Sequence, residues 1–180
     1  MNSKYIAAMP IDELYTRLTE YLRQYHPEFY ENTLITHEES YNKSVLLELQ
    51  KRLETLEDFI SHTDFFYAEP TVDTALLLSE KMNITTSEQA KEALQFGLEI
   101  ISGMDPRVIR PSKSLEFNSE YYGERKPEDD GKTVREMLKD LMLPKIAEAG
   151  KKNGQILWPL RVALTGKEFS PGAFEMTEIL

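Results

Sequence analysis

The side chains able to do bond chemistry are few in this sequence. The 180 residues hold three histidines (His26, His37 and His62), one tryptophan (Trp158) and no cysteine. Without cysteine there is no thiolate nucleophile, no disulfide frame and no Cys-based zinc site. His37-Glu38-Glu39 is not a zinc helix, because no second His follows at the required step. No Gly-x-x-x-x-Gly-Lys-Ser/Thr loop and no Gly-x-Ser-x-Gly elbow is present. The run Glu128-Asp129-Asp130 reads as a solvated loop rather than an acid–base pair. Asn42-Lys43-Ser44 and Asn83-Ile84-Thr85 match the glycosylation pattern, but a cytosolic chain does not meet that enzyme. What remains is donor chemistry. Arg52 lies at a helix end beside Glu48 and Glu54, Arg161 stands in an otherwise apolar helix, and Lys145, Lys151, Lys152 and Lys167 form a basic run suited to phosphate.

The distribution of charge says more than its sum. Lys and Arg number 21 against 31 Asp and Glu, a net of −10. Residues 1–67 carry 6 basic and 12 acidic groups, a net of −6, whereas residues 131–167 carry 8 basic and 3 acidic groups, a net of +5. An acidic total argues against a general DNA-coating protein, whose affinity comes from many phosphate contacts. A polyanion read locally, on one face, remains compatible. Apolar residues make up 41% and aromatics 10%, enough to build a core. Apolar runs such as Ile156–Leu160 are far short of the ~20 residues that cross a bilayer. Residues 1–10 lack a secretory pattern, so a soluble cytoplasmic chain with no membrane partner is expected.

The elements that must position these donors read as helices. Ile11, Leu14, Leu18 and Leu22 form one stripe starting at Pro10 and ending at His26-Pro27. A second helix is predicted over Asn42–Leu53, a short turn over Thr55–Ser61, and an aromatic plug at Phe65-Phe66-Tyr67. A boundary falls near Glu69-Pro70. Beyond it the pattern predicts a short helix over Thr71–Lys81 and a longer one after Thr86-Ser87, with Ala90, Leu94, Leu98 and Ile101 in line. Proline, glycine and mixed charge make 102–131 an irregular insertion. Helices are then expected over Lys132–Leu143, Pro144–Ala149 and Gln155–Leu164, and a last one from Ser170-Pro171. No stretch alternates with period two. The expected fold is all-α, with two small helical subdomains, 1–69 and 70–180.

The distinctive stretch is Gly154-Gln155-Ile156-Leu157-Trp158-Pro159-Leu160-Arg161-Val162-Ala163-Leu164-Thr165-Gly166, followed by Ser170-Pro171-Gly172-Ala173-Phe174-Glu175. It resembles the C-terminal anticodon-binding region of bacterial-type glutamyl-tRNA synthetases, where a Pro-Leu-Arg-x-Ala-Leu-Thr-Gly helix precedes a Ser/Thr-Pro helix start. Arg52-Leu53-Glu54-Thr55-Leu56-Glu57-Asp58-Phe59 is similar to that family's Arg-x-x-Thr-Leu segment, with aromatics following as Phe65-Phe66-Tyr67. Asn2-Ser3-Lys4-Tyr5-Ile6 resembles the linker by which the catalytic half enters the region. The resemblance implies a helical bundle that forms an anticodon-binding cage. It implies the tRNA-reading portion of a class I glutamate–tRNA ligase, with Met1 lying inside a longer polypeptide. The His-Ile-Gly-His-like and Lys-Met-Ser-Lys-Ser-like motifs of the catalytic fold are not in this sequence. No catalytic residue, metal or cofactor is therefore expected in the chain. ATP and Mg would belong to the catalytic domain of the same polypeptide.

By resemblance, Arg52 reads the third anticodon base, C for glutamate and G for glutamine. Arginine only donates, so it suits the O2 and N3 acceptors of cytosine and opposes the N1–H and N2–H₂ of guanine. The resemblance places Arg161, Ser170, Pro171, Gly172 and Ala173 around the first two anticodon bases. Trp158 is a candidate for stacking, although a single Trp on an apolar helix more often belongs to a core. Lys145, Lys151, Lys152 and Lys167 are expected to hold phosphates, which position RNA without reading it. The implied partner is the anticodon loop of tRNA(Glu), bound by a monomer. The competing reading is a helical protein-interaction module, derived from a synthetase and lacking RNA binding.

Overall fold

A computed structural model describes residues 3–103 and 133–179. The insertion expected at 102–131 lies almost wholly outside the described residues. So do Asn2, the carboxylates Glu128–Asp130, Lys132 and Leu180. The regular elements of the described residues are all helices, apart from one isolated antiparallel bridge between Ser79 and Ile84. It divides into two compact units, one formed by residues 3–69 and one by residues 70–103 with 133–178. No described helix is long and apolar enough to cross a membrane.

The first unit contains α1 (Ser3–Ala8), α2 (Ile11–Tyr25), α3 (Pro27–Asn32), α4 (Glu39–Leu49), α5 (Asp58–His62) and α6 (Asp64–Tyr67). Leu14, Leu18 and Leu22 of α2 are buried, and α4 packs against them with Val45, Leu46 and Leu49. Pro10 precedes α2 as an extended cap rather than forming its first turn. His26 closes α2 by donating its N–H to Leu22 O at 2.8 Å, and Pro27 then opens α3. The second helix is displaced from its expected span, running over Glu39–Leu49 and stopping before Leu53. Two buried amides tie the unit together. Asn42 donates to Leu34 O at 2.8 Å and accepts from the Tyr67 hydroxyl at 2.9 Å. Its amide is thus spent in the core, which removes Asn42 as a modification site. Gln50 donates to both Ile6 O (2.8 Å) and Met9 O (2.7 Å).

The second unit begins with a correction. The helix predicted over 71–81 is two 3₁₀ turns, Thr74–Leu77 and Glu80–Met82. Asp73 caps the first by accepting from Ala75 N at 2.9 Å. Ser79 and Ile84 exchange backbone hydrogen bonds of 2.8 and 2.9 Å across Asn83, which adopts a left-handed φ of 59°. That local pairing replaces the helical ladder.

Next comes α7 (Ser87–Ser102), started by a reciprocal cap between Thr86 and Gln89. The two helices expected on either side of Pro144 are one, α8 (Val134–Glu148). Pro144 cannot donate to the carbonyl of Asp140, but Met142 and Ile146 are both buried in the same cluster and hold the turn. A left-handed Gly150 ends α8, with Gly150 N bonded to Ala147 O (2.9 Å) and Lys151 N to Ile146 O (3.0 Å). Then follow α9 (Asn153–Thr165) and α10 (Ala173–Ile179). The last helix therefore starts three residues later than Ser170, with Gly172 O taking the first bond from Met176 N at 3.0 Å. Ile100, Leu138, Met142, Ile146, Ile156 and Phe174 form the core around which α7, α8 and α9 pack.

Candidate nucleic-acid interface

The candidate donors gather at two turns, one in each unit, with Arg52 on the first and Arg161 of α9 reaching over the second. Arg52 is exposed on the turn that follows α4. Its backbone N–H and that of Leu53 both return to Leu49 O, at 2.7 and 3.2 Å. Leu53 and Leu56 are buried under the turn. The Asp58 carboxylate accepts from Glu54 N at 2.9 Å and Thr55 N at 2.7 Å. Desolvation pushes the Asp58 carboxyl up, but the backbone donors of Thr55 and Glu54, with the Thr55 side chain and His62, hold it below its ordinary value. Upstream, the Gln50 amide fixes the other end of the turn.

The second turn is the loop 166–172 between α9 and α10. Gly166 stops α9 in the left-handed region at φ 66°, and a Cβ there would lie 2.6 Å from Thr71 O. Only glycine meets both demands. Arg161 reaches back over the loop. Its Nη2 donates to Glu168 O at 2.7 Å and its Nη1 to Ser170 O at 3.5 Å. The same guanidinium lies 4.6 Å from the centre of the Trp158 ring, within cation–π reach. Trp158 in turn donates its indole N–H to Leu76 O at 3.0 Å. Thr165 Oγ1 accepts from Lys167 N at 3.2 Å and lies 3.3 Å from Ser170 Oγ.

The structure thus brings Trp158, Arg161, Lys167 and Ser170 into one bonded cluster. Pro171 and Ala173 are buried and serve packing. Gly172 is half-buried. The four lysines are not one patch. Lys145, Lys151 and Lys152 are exposed around the turn from α8 into α9. Lys167 follows the other end of α9, a 13-residue helix about 20 Å long at 1.5 Å per residue.

Each histidine is held locally. His26 Nε2 pairs with Glu57 Oε2 at 2.6 Å, His37 Nδ1 with Thr33 O at 2.9 Å, and His62 Nδ1 with Asp58 O at 2.7 Å. One residue escaped the sequence reading. Phe169 is 84% exposed on the 166–172 loop. Its only sequence signal is an aromatic outside any apolar period, between charged Glu168 and the Ser170-Pro171 pair.

Packed helices, with no strand among the described residues, define an all-α bundle. Comparison with known proteins then supplies the family. The chain belongs to the anticodon binding domain family, whose model matches residues 13–108 and 124–180. Over its whole length it is 29% identical to a glutamate–tRNA ligase of Clostridium acetobutylicum, of which it covers 30%. Over 73% of its length it is 35% identical to a glutamate–tRNA ligase of Clostridium botulinum and 32% identical to one of Clostridium tetani, covering 22% of each. The chain therefore spans less than a third of the length of these relatives.

Proposed function

We propose that this chain reads the anticodon of tRNA(Glu) for a glutamate–tRNA ligase, in the cytoplasm and as a monomer. The ligation chemistry, with its ATP and Mg, resides in another part of the same polypeptide. Family membership and the glutamate–tRNA ligase relatives support the module and its enzyme class. The observation that carries the reading is the 166–172 loop, held by Arg161 within the very segment that bears the Pro-Leu-Arg and Ser-Pro motif.

In this reading Arg52 selects the third base. Its guanidinium is a donor-only group on a turn fixed at both ends, so it favours cytosine's N3 and O2 and disfavours guanine's N1–H and N2–H₂. A well-placed base contact of this kind discriminates by about 1–3 kcal/mol. Arg161 works through the loop, keeping the backbone of residues 168–172 in place for the first two bases. Trp158 supports that guanidinium with its ring. Lys167 lies within the loop, and Lys145, Lys151 and Lys152 hold phosphates further along the RNA.

Fluorescence anisotropy with a glutamate anticodon stem-loop, and with the same hairpin carrying G for C at the third base, tests this at fixed low salt. Preference for C that disappears in Arg52→Gln supports both anticodon reading and the role of Arg52. Equal, salt-sensitive binding to the two hairpins would remove Arg52 from base selection. Failure to bind either hairpin or whole tRNA would leave a protein-interaction module instead.

A further inference from the structure

We infer that Phe169 is a stacking platform for one unpaired base of the anticodon loop, adding affinity without selecting the base. This rests on the anticodon reading above. Phe169 is more exposed, at 84%, than any other large apolar side chain among the described residues. Exposure alone would be unremarkable on a slack loop, but this loop is bonded on both sides of the ring. Arg161 holds the carbonyls of Glu168 and Ser170, the residues flanking Phe169. Thr165 holds Lys167 N at 3.2 Å, and Gly166 N donates to Val162 O at 2.7 Å. The backbone is thus ordered before any ligand arrives, and an aromatic held outward on an ordered backbone loses little freedom when a flat partner covers it.

Charge selects the kind of flat partner. Lys167 lies two residues before the ring, and the Arg161 guanidinium reaches the residues on either side of it. An unpaired nucleobase offers a π-face with phosphates on either side, which matches an aromatic beside cations. Every base has such a face, so the contribution is independent of sequence.

The test uses the full chain and both hairpins described above. Phe169→Leu keeps apolar bulk without a π-face, Phe169→Ala removes both, and Phe169→Tyr and Phe169→Trp retain a ring. The Leu and Ala variants are expected to lose about tenfold in affinity for the C and G hairpins alike, leaving their ratio unchanged, and the ring variants to keep it. With 2-aminopurine replacing each unpaired loop base in turn, one position should be quenched by the wild type and ring variants but not by Leu or Ala. If the wild type binds and the Leu and Ala variants bind equally well, the inference is overturned and Phe169 is assigned to a protein contact. If the wild type binds neither hairpin, the anticodon reading fails and this inference falls with it.

Discussion

Arg52 stands on a turn braced from outside itself, by the Gln50 amide on Ile6 and Met9 and by the Asp58 carboxylate on Glu54 and Thr55. Arg161, by contrast, is the brace of its own loop, with its guanidinium on the carbonyls of Glu168 and Ser170. The same residue type therefore carries two different duties. In the proposed reading, Arg52 meets a base from a scaffold that the Gln50 amide and the Asp58 carboxylate hold. In the same reading, Arg161 holds the 166–172 loop, and the loop's backbone and Phe169 are what it offers to a ligand. Removal of the first should alter which base is chosen. Removal of the second should alter how tightly any base is held.

The largest effect is expected at Gly166. Gly166→Val combines a left-handed φ with a Cβ pressed on Thr71 O, and should cost about 3 kcal/mol in urea unfolding. Its affinity for the C and G hairpins should fall together. Arg161→Ala comes next, with about 2 kcal/mol of lost stability and the C-over-G ratio preserved. A collapse of that ratio would break the contrast between the two arginines. Arg52→Gln should leave the unfolding midpoint nearly unchanged while the C-over-G affinity ratio drops about tenfold.

Asp58→Asn sharpens the external brace. It should cost about 1 kcal/mol at neutral pH and erode the C-over-G ratio although Arg52 is still present. The folded chain holds this carboxyl below its ordinary 3.8. Its stabilisation is thus complete above that value and lost as pH falls through the lower folded value. The thermal midpoints of wild type and variant should converge on acidification below 3.8. The smallest effect is expected from Lys151→Gln with Lys152→Gln, at the far end of α9. Binding should weaken equally for both hairpins, with the log–log salt slope shallower by about 0.7 per lysine.

Much of this was legible along the chain, because helices announce themselves through local spacing. The Leu14, Leu18 and Leu22 stripe is buried as its period requires, and Thr86 starts α7 as its side chain permits. Where local signals met a stronger competitor, the reading failed. The apolar run Ala75–Leu78 suggested a helix, but the Asp73 cap and the Ser79–Ile84 pairing made 3₁₀ turns. Pro144 suggested a break, but buried Met142 and Ile146 carried α8 through it. Ser170-Pro171 suggested a helix start. Instead, Ser170 is engaged by the Arg161 and Thr165 side chains and the helix waits for Ala173.

The sequence by itself determined the all-α class, the donor residues and the segment that carries the family motif, since periodicity and residue type are local properties. The tertiary structure decided what each donor is bonded to. That Gln50 reaches Ile6 across 44 positions, that Asn42 is spent on Tyr67, and that Arg161 turns onto its own loop are outcomes of packing. So is the outward turn of Phe169 while Phe174, five residues on, lies in the core. Both are phenylalanines, and only the fixed course of the 166–172 loop tells them apart.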